Sequence, residues 1–310
     1  MREFLARLIA PARRLEYTSR GAGSFIDVVR VLRKGKTRFQ AIEVLETKDA
    51  GHALLLDGIL QLTEAQEYQY HEPMAHLPLL AHPAPRRALV IGGGDGALVR
   101  EILRHPSIET VDFVELDEGV VDFCRRYFPE LGGGAFDDSR VNLHIEDGRS
   151  FVARASASGR RWDAIFMDMT DPAGPSLPLY TKEFFDLVAE LLANEDAFFI
   201  MHSESPDCRP KLFAKIQATL RSAFPLVRPV VSHVRMYGGQ WSWAICTKGS
   251  DPAMLDPALV AARIADRALS DLKILSPTVW PGLFALWPRI EDLLAEDLPP
   301  ARDANPGYEG

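Results

Sequence analysis

Asp168-Met169-Thr170-Asp171-Pro172 sets two carboxylates three residues apart, directly after the apolar run DAIFMD at 163 to 168. A third carboxylate, Asp95, interrupts a glycine turn, Gly92-Gly93-Gly94-Asp95-Gly96, that follows another apolar run, ALVIG at 88 to 92. If both runs are strands of one sheet, Asp95, Asp168 and Asp171 converge on one cavity. Three carboxylates without cationic partners repel one another strongly, so something positive is expected among them. A metal is one candidate, but no His pair at helical spacing accompanies these aspartates, and none is assigned. A polyamine or sulfonium ligand fits better. The plain structural alternative is a capped loop with Asp171 held before Pro172.

The glycine turn narrows the ligand. A dinucleotide fingerprint, G-x-G-x-x-G, offers open backbone amides to a pyrophosphate. Here Asp95 sits inside the turn and would repel a second anion, which points to a nucleoside without phosphates, one able to carry positive charge. Glycines that merely permit close helix-strand packing are the alternative. Glu115, in the run VDFVEL, ends the second expected strand, 21 residues after Gly94, where an acidic side chain reaches a ribose diol; Asp117 competes for that role. Asp147-Gly148 follows VNLHIE, placed for an adenine amino group to donate to the carboxylate, while a helix N-cap is the simpler role for Asp147. Together these features describe an adenosine site of the S-adenosylmethionine kind.

Such residues need a sheet to hold them. After Pro85, buried-strand runs (88 to 92, 111 to 116, 141 to 146, 163 to 168, 196 to 201) alternate with ALVREILRH, GVVDFCRRYF and TKEFFDLVAELLA, whose apolar residues recur at helical spacing. That alternation predicts an α/β fold: a doubly wound, mostly parallel Rossmann-like sheet of the methyltransferase type. PVVSHVRM and WSWAIC, joined through Tyr237-Gly238-Gly239-Gln240, predict an antiparallel terminal hairpin. Between Glu16 and about Thr63 the pattern is that of β-hairpins, with turns expected at Lys34-Gly35, Ala50-Gly51 and Asp57-Gly58. MREFLARLIAPARR predicts a short surface or interface helix rather than a targeting peptide. Residues 256 to 275 read as helical, and DLPPARDANPGYEG as a polar tail that either covers something or is disordered. The expected organisation is an N-terminal β-hairpin domain at 1–70, a nucleoside-binding catalytic domain at 71–250 and a C-terminal helical extension with its tail at 251–310.

Composition closes off several classes. The 310 residues carry a net charge of −8, and with 47% hydrophobic and 25% charged residues the chain suits an ordinary globular protein. The acid excess argues against nucleic acid as a partner, since phosphate contacts need clustered Lys and Arg. No apolar stretch approaches the length of a membrane span, so no membrane partner is expected. Cys124, Cys208 and Cys246 are scattered and form no C-x-x-C pair, so neither a disulfide framework nor a Cys-based zinc site is expected, and the chain reads as cytoplasmic.

The order L-D-G, T-E-x-x-E-x-x-Y-H-E, G-G-G-D-G and D-x-x-D-P, within LDGILQLTEAQEYQYHE, RRALVIGGGDGALVREILRH, VELDEGVVDF, NLHIEDGRSFV and MDMTDPAGPSLPLYTKEFFDLV, resembles the polyamine aminopropyltransferases, the spermidine synthase family, from about residue 16 to 250. ANPGY and YTKEFF look like the branch that includes thermospermine synthases and bacterial enzymes of broad acceptor range. The resemblance implies transfer of the aminopropyl group of decarboxylated S-adenosylmethionine to an amine, with methylthioadenosine released and no metal, cofactor or covalent intermediate; the donor is a co-substrate. It implies Asp168 as the base that takes the amine proton, oriented by Tyr70. It implies Asp95 on the aminopropyl ammonium, and Gln40, Gln61, Glu115, Asp147 and Gly148 as donor-binding positions. His71 takes a donor-contacting place that is Gln in some members. Asp171, Tyr237, Gln240 and His202 fall on the acceptor side; His202 stands where many putrescine-using members have Gln, and Met169-Thr170 replaces a common pair of serines. A buried structural role for His202, and simple packing for Trp241 and Trp243, are the plainer readings. Putrescine is the first expected acceptor, giving spermidine, with spermidine or agmatine as alternatives. The resemblance also implies a homodimer or homotetramer. An S-adenosylmethionine-dependent methyltransferase and a non-catalytic polyamine-binding protein are the readings of other classes. Asp95 speaks against the first, because full S-adenosylmethionine carries a carboxylate where Asp95 would lie.

Overall fold

The computed structural model describes residues 12–19 and 22–308. The helix expected at the N-terminus lies for residues 1–11 outside the described residues, and residues 12–14 are strand instead. Five strands, β1 (Ala12–Ser19), β2 (Ala22–Lys36), β3 (Ala41–Thr47), β4 (His52–Leu56) and β5 (Ile59–Thr63), pair antiparallel in sequence order. Asp57 and Gly58 both take positive φ, 49° and 85°, the two-residue connection that matches strand twist. The turn expected at Lys34-Gly35 is not there: β2 runs on to Lys36, and the chain turns at 37–40. Gly35 serves a close approach instead, since a Cβ on it would lie 2.5 Å from Cζ of Phe123.

Helix α1 (Tyr68–Ala81), buried from Tyr70 onward, carries the chain from this sheet to the next. The boundary expected after residue 70 falls within it. The second sheet holds β6 (Arg87–Gly92), β7 (Thr110–Glu115), β8 (Val141–Ile145), β9 (Ala164–Asp168), β10 (Phe198–His202), β11 (Leu226–Val234) and β12 (Gly239–Thr247) in the order β11-β12-β10-β9-β6-β7-β8. β8, β7, β6, β9 and β10 are parallel, and β12 and β11 close the edge antiparallel. Helices α2 (Ala97–Leu103), α3 (Glu118–Tyr127), α4 (Pro129–Gly132), α5 (Gly148–Ala157), α6 (Lys182–Leu191) and α7 (Pro210–Arg221) fill the crossovers. Side-chain alternation divides the core in two: Val90, Phe113, Phe166 and Phe198 pack on one face, Leu89, Ile91, Ile165 and Phe199 on the other. Both faces are covered, which is why these strands read as unbroken apolar runs.

The helical reading of 256 to 275 is too long. α8 (Pro257–Asp266) stops where Ala268 takes φ 54°, and two unforeseen short helices follow, α9 (Trp280–Leu283) and α10 (Pro288–Ala295). The polar tail lies over the second sheet's helices: Lys182 N donates to Ala301 O at 2.8 Å, Arg149 pairs with Asp303, and Tyr308 Oη donates to Tyr180 O at 2.7 Å. The chain reverses its direction of travel across the sheet between β6 and β9, and at such a point the strand ends leave a crevice.

Candidate active site

Gly92 and Asp168 are register partners at the carboxyl ends of β6 and β9. With φ 83° at Gly92, a Cβ would run into the carbonyl of Asp168, so only glycine lets the turn cross here. The turn then leads into α2, and Asp95 Oδ1 accepts from Ala97 N at 2.8 Å.

Helix α1 brings two side chains to this crevice from the other side. Tyr70 Oη donates to Asp168 Oδ1 at 2.8 Å. His71 Nε2 lies 3.9 Å from Asp95 Oδ1 and 4.0 Å from Asp168 Oδ2, while its Nδ1 is 2.8 Å from Glu67 Oε2. Glu67 is itself gripped by Arg100 Nη2 at 3.0 and 3.1 Å. Burial raises Asp95 to about 6, opposed by the His71 charge and reinforced by Asp168. Burial likewise raises Asp168, opposed by His71 and the Tyr70 hydrogen bond. For His71, burial alone would depress the imidazolium, but the Glu67 hydrogen bond and the charges of Asp95, Glu67 and Asp168 lift it to about 9. His71 is thus the resident cation of a carboxylate pair. Sequence reasoning gave Glu67 and Arg100 no role; the four-residue step from Glu67 to His71 at the start of a helix was the available signal. One ligand atom each from His71, Asp95 and Asp168 lie within 4.8 Å of one another, a spacing a metal ion could use. His71 would first have to give up its proton.

The ends of β7 and β8 supply the next groups. Glu115 is raised to about 7 by burial, its Oε1 accepting from Asp117 N at 2.8 Å, and Gly94 lies against its other oxygen. Asp117 caps α3 through Gly119 N and accepts from Thr37 Oγ1 at 2.6 Å and Gln40 Nε2 at 3.1 Å. That commitment leaves Glu115 as the ribose candidate and makes Gln40 a tie between the two sheets. Asp147 caps α5 through Ser150 N at 2.7 Å, the simpler role named for it, and the Gly148 Cα packs so closely on Ile91 that a Cβ would sit 2.7 Å from its Cγ2. Gln61 accepts from Tyr237 Oη through its backbone carbonyl at 2.8 Å.

On the far side of Asp168, an aromatic wall forms. Tyr237 meets Tyr70 edge-on at 5.8 Å and Trp241 at 4.6 Å, and Trp243, fully buried, lies 5.7 Å from Tyr70. His202 is buried and stacks on Trp241 at 5.6 Å. Its Nε2 is 2.8 Å from Met169 O and 2.9 Å from Tyr180 Oη, which in turn donates to Thr170 O. A carbonyl can only accept, so Nε2 carries the hydrogen. Burial holds His202 below the ordinary imidazole range, so the neutral ring leaves Nδ1 as a bare lone pair, without a partner among the described residues. Gln240 Oε1 is buried and unpartnered in the same way. Asp171 pairs with Arg209 Nη1 at 2.6 Å, beside the buried Glu204. Arg209 and Glu204 were not anticipated, and no motif in the sequence marks them.

Residues 67–255 match the family model described as the spermine/spermidine synthase domain, and residues 15–64 match the one described as the spermidine synthase tetramerisation domain. The polyamine aminopropyltransferase of Nitrosomonas europaea is 36% identical over 91% of this chain and 86% of its own length. Polyamine aminopropyltransferase 2 of Hyperthermus butylicus is 38% identical over 94% and 95%. Among solved structures, a spermidine synthase in complex with the transition-state analogue AdoDATO superposes with a TM-score of 0.84 at 33% identity, covering 91% of this chain and 94% of that one. The spermidine synthase of Thermotoga maritima gives 0.83 at 31%, covering 95% and 99%.

Proposed function

The chain belongs to the spermine/spermidine synthase family, and from that premise we propose that it moves the aminopropyl group of decarboxylated S-adenosylmethionine to putrescine, giving spermidine and methylthioadenosine. The observation that carries this reading is that Asp95 and a Tyr70-bound Asp168 face the same His71 across the glycine turn, with Glu115 close enough to feel the Asp168 charge. Tyr70 occupies Oδ1 of Asp168 and leaves Oδ2 to take a proton from the acceptor amine. The freed lone pair attacks the carbon next to sulfur, the carbon–sulfur bond breaks, and its electrons neutralise the sulfonium. Asp95 receives the donor's ammonium. Ordinary S-adenosylmethionine would bring its own carboxylate to that position and be repelled, which disfavours methyl transfer. Holding both reactants in line supplies much of the remaining rate.

Spermidine or agmatine is the second reading for the acceptor, since His202 and the Met169-Thr170 pair depart from the residues that many putrescine-using members carry. A homo-oligomer built through the first sheet is supported by the match of residues 15–64 and by exposed Leu15, Phe25, Val29 and Val31 on β1 and β2. Among the described residues no helix is long and apolar enough to cross a membrane. All three cysteines are free, which supports a cytoplasmic setting.

The test is incubation of purified protein with decarboxylated donor and a panel of putrescine, agmatine and spermidine, with methylthioadenosine and the polyamine product measured together. Methyl transfer from S-adenosylmethionine with no methylthioadenosine from the decarboxylated form would overturn the reading. Binding without turnover would make the protein a polyamine carrier.

A further inference from the structure

Three elements of the second sheet, with a fourth group from the first, build a charged cluster beyond Asp168. Asp171 follows β9, Glu204 follows β10, and Arg209 stands at the N-cap of α7. Arg209 Nη1 lies 2.6 Å from Asp171 Oδ2 and 3.4 Å from Glu204 Oε1. Glu16 on β1, whose carboxylate accepts from Leu60 N at 3.0 Å, is close enough to feel the charges of both Asp171 and Arg209. The position of Glu204 is not accidental. Its φ of 71° is strained for a residue with a side chain, and the fold enforces it: Glu204 O accepts from Ser242 N at 3.1 Å and Ser242 Oγ at 2.5 Å, and Ser203 Oγ is 2.8 Å from that same hydroxyl. The cluster is continuous with the reaction centre, because the half-buried Tyr237 phenol feels Asp168, Asp95, Asp171 and Glu16 together.

An amine acceptor of the proposed reaction presents its neutral reacting nitrogen at Asp168, and any second ammonium is drawn to the next ionised carboxylate. Burial and the Asp171 charge push Glu204 up, so of the two carboxyls it is Glu204 that holds a proton more readily. Against burial, the Glu204 hydrogen bond and the Arg209 charge keep Asp171 low and ionised. Asp171 and Arg209 therefore balance each other before any acceptor arrives. The contact is a single nitrogen from a part-exposed side chain, the kind of ion pair an ammonium can displace. His202, buried and within reach of the Asp171 charge, adds an unpartnered lone pair where a ligand N–H belongs.

Resting on the aminopropyltransferase reading, we infer that Arg209 is a specificity-determining residue: a built-in counter-ion that competes with the acceptor's distal ammonium for Asp171. The protein's own cation makes the second charge of a diamine less necessary, and amines that lack it are accepted more readily than an unpaired Asp171 would allow.

Putrescine and n-butylamine, the same carbon chain with and without the second amine, separate the cases. Their kcat/KM values are measured for wild type, Arg209→Gln, Arg209→Ser and Arg209→Lys with decarboxylated donor. Serine suits the N-cap position, so it guards against loss of fold in the glutamine variant. The putrescine-to-butylamine ratio is expected to rise roughly two- to fivefold in both neutral variants, through a lower putrescine KM, and to stay at the wild-type value in Arg209→Lys. A ratio that is unchanged or lower in the neutral variants, with turnover retained, overturns this inference alone. Absence of methylthioadenosine from wild type with every amine overturns the parent reading and this one with it.

Discussion

Replacing Tyr70 by Phe removes one hydroxyl and leaves the ring among His71, Tyr237 and Trp243, whose centroids lie 5.2 to 5.8 Å away. What is lost is the 2.8 Å hydrogen bond to Asp168 Oδ1. Burial and the Asp168 charge hold the Tyr70 hydroxyl well above its ordinary range, so in the native protein it stays a donor at any pH used for assay. A hydrogen bond to a charged acceptor contributes about 1.5 to 3 kcal/mol, and a tenfold change in acidity corresponds to about 1.4 kcal/mol, so Asp168 should become a roughly ten- to hundredfold weaker acid. The sign is fixed: the bond favours the ionised form, its loss favours the protonated one, and a general base must be ionised to work. The acidic limb of kcat/KM for the amine should therefore move to higher pH by roughly 1 to 2 in Tyr70→Phe, and because the same bond stabilises the fold while Asp168 is ionised, urea unfolding at neutral pH should show a loss of about 1.5 to 3 kcal/mol. An acidic limb that stays put, or moves down, would mean that Asp168 is not the titrating base or that Tyr70 does not tune it.

Asp168→Asn keeps the shape and removes the proton acceptor, so turnover should fall by about 10²- to 10⁴-fold while donor affinity, measured by calorimetry, stays within a few fold; full activity would remove Asp168 from the mechanism. His71, lifted to about 9, contributes stability that is complete below its unfolded value of 6.5 and is lost as pH rises through 9. Urea midpoints for wild type and His71→Gln should therefore converge across that window, from a difference of at most about 3 kcal/mol at its lower end; parallel curves refute the assignment. Gly35→Ala should destabilise by about 1 to 3 kcal/mol, because the new methyl forces the Phe123 ring to move; unchanged unfolding would show the contact to be slack.

The second sheet was legible because its central strands β6, β9 and β10 are buried on both faces and read as apolar runs, two of them ending in Gly92 and Asp168. The errors lie where a residue answers to something distant in sequence. Gly35 after Lys34 looks like a turn in every local respect, and its reason for being glycine is Phe123, on a helix of the other sheet. Arg13 and Arg14 read as part of a basic helix, yet each pairs across strands, Arg13 with Asp27 and Arg14 with Glu43. The WPGL turn of α9 is too short to carry a period, and Trp280 is fixed by its indole donating to Pro252 O.

The site shows the same asymmetry, with a chemical reason. The candidate carboxylates Asp95, Glu115, Asp147 and Asp168 lie at a strand end or within three residues of one, where position in the sheet and position in the sequence coincide, so the sequence could place them there. The cations that make such a cluster tolerable do not share those elements. His71 answers Asp95 and Asp168 from a helix that precedes the sheet, and it is charged because Glu67, held by Arg100 of α2, faces its other nitrogen. Arg209 answers Asp171 from the start of α7. A net charge of −8 suggests an acidic protein seeking cations, whereas Asp95 and Asp168 already share His71 and Asp171 already holds Arg209. On the proposed reading, an incoming amine exchanges with these cations rather than filling a void. Affinity then depends on how readily His71 loses its proton and Arg209 its partner, and these are properties of contacts between elements that no run of residues displays.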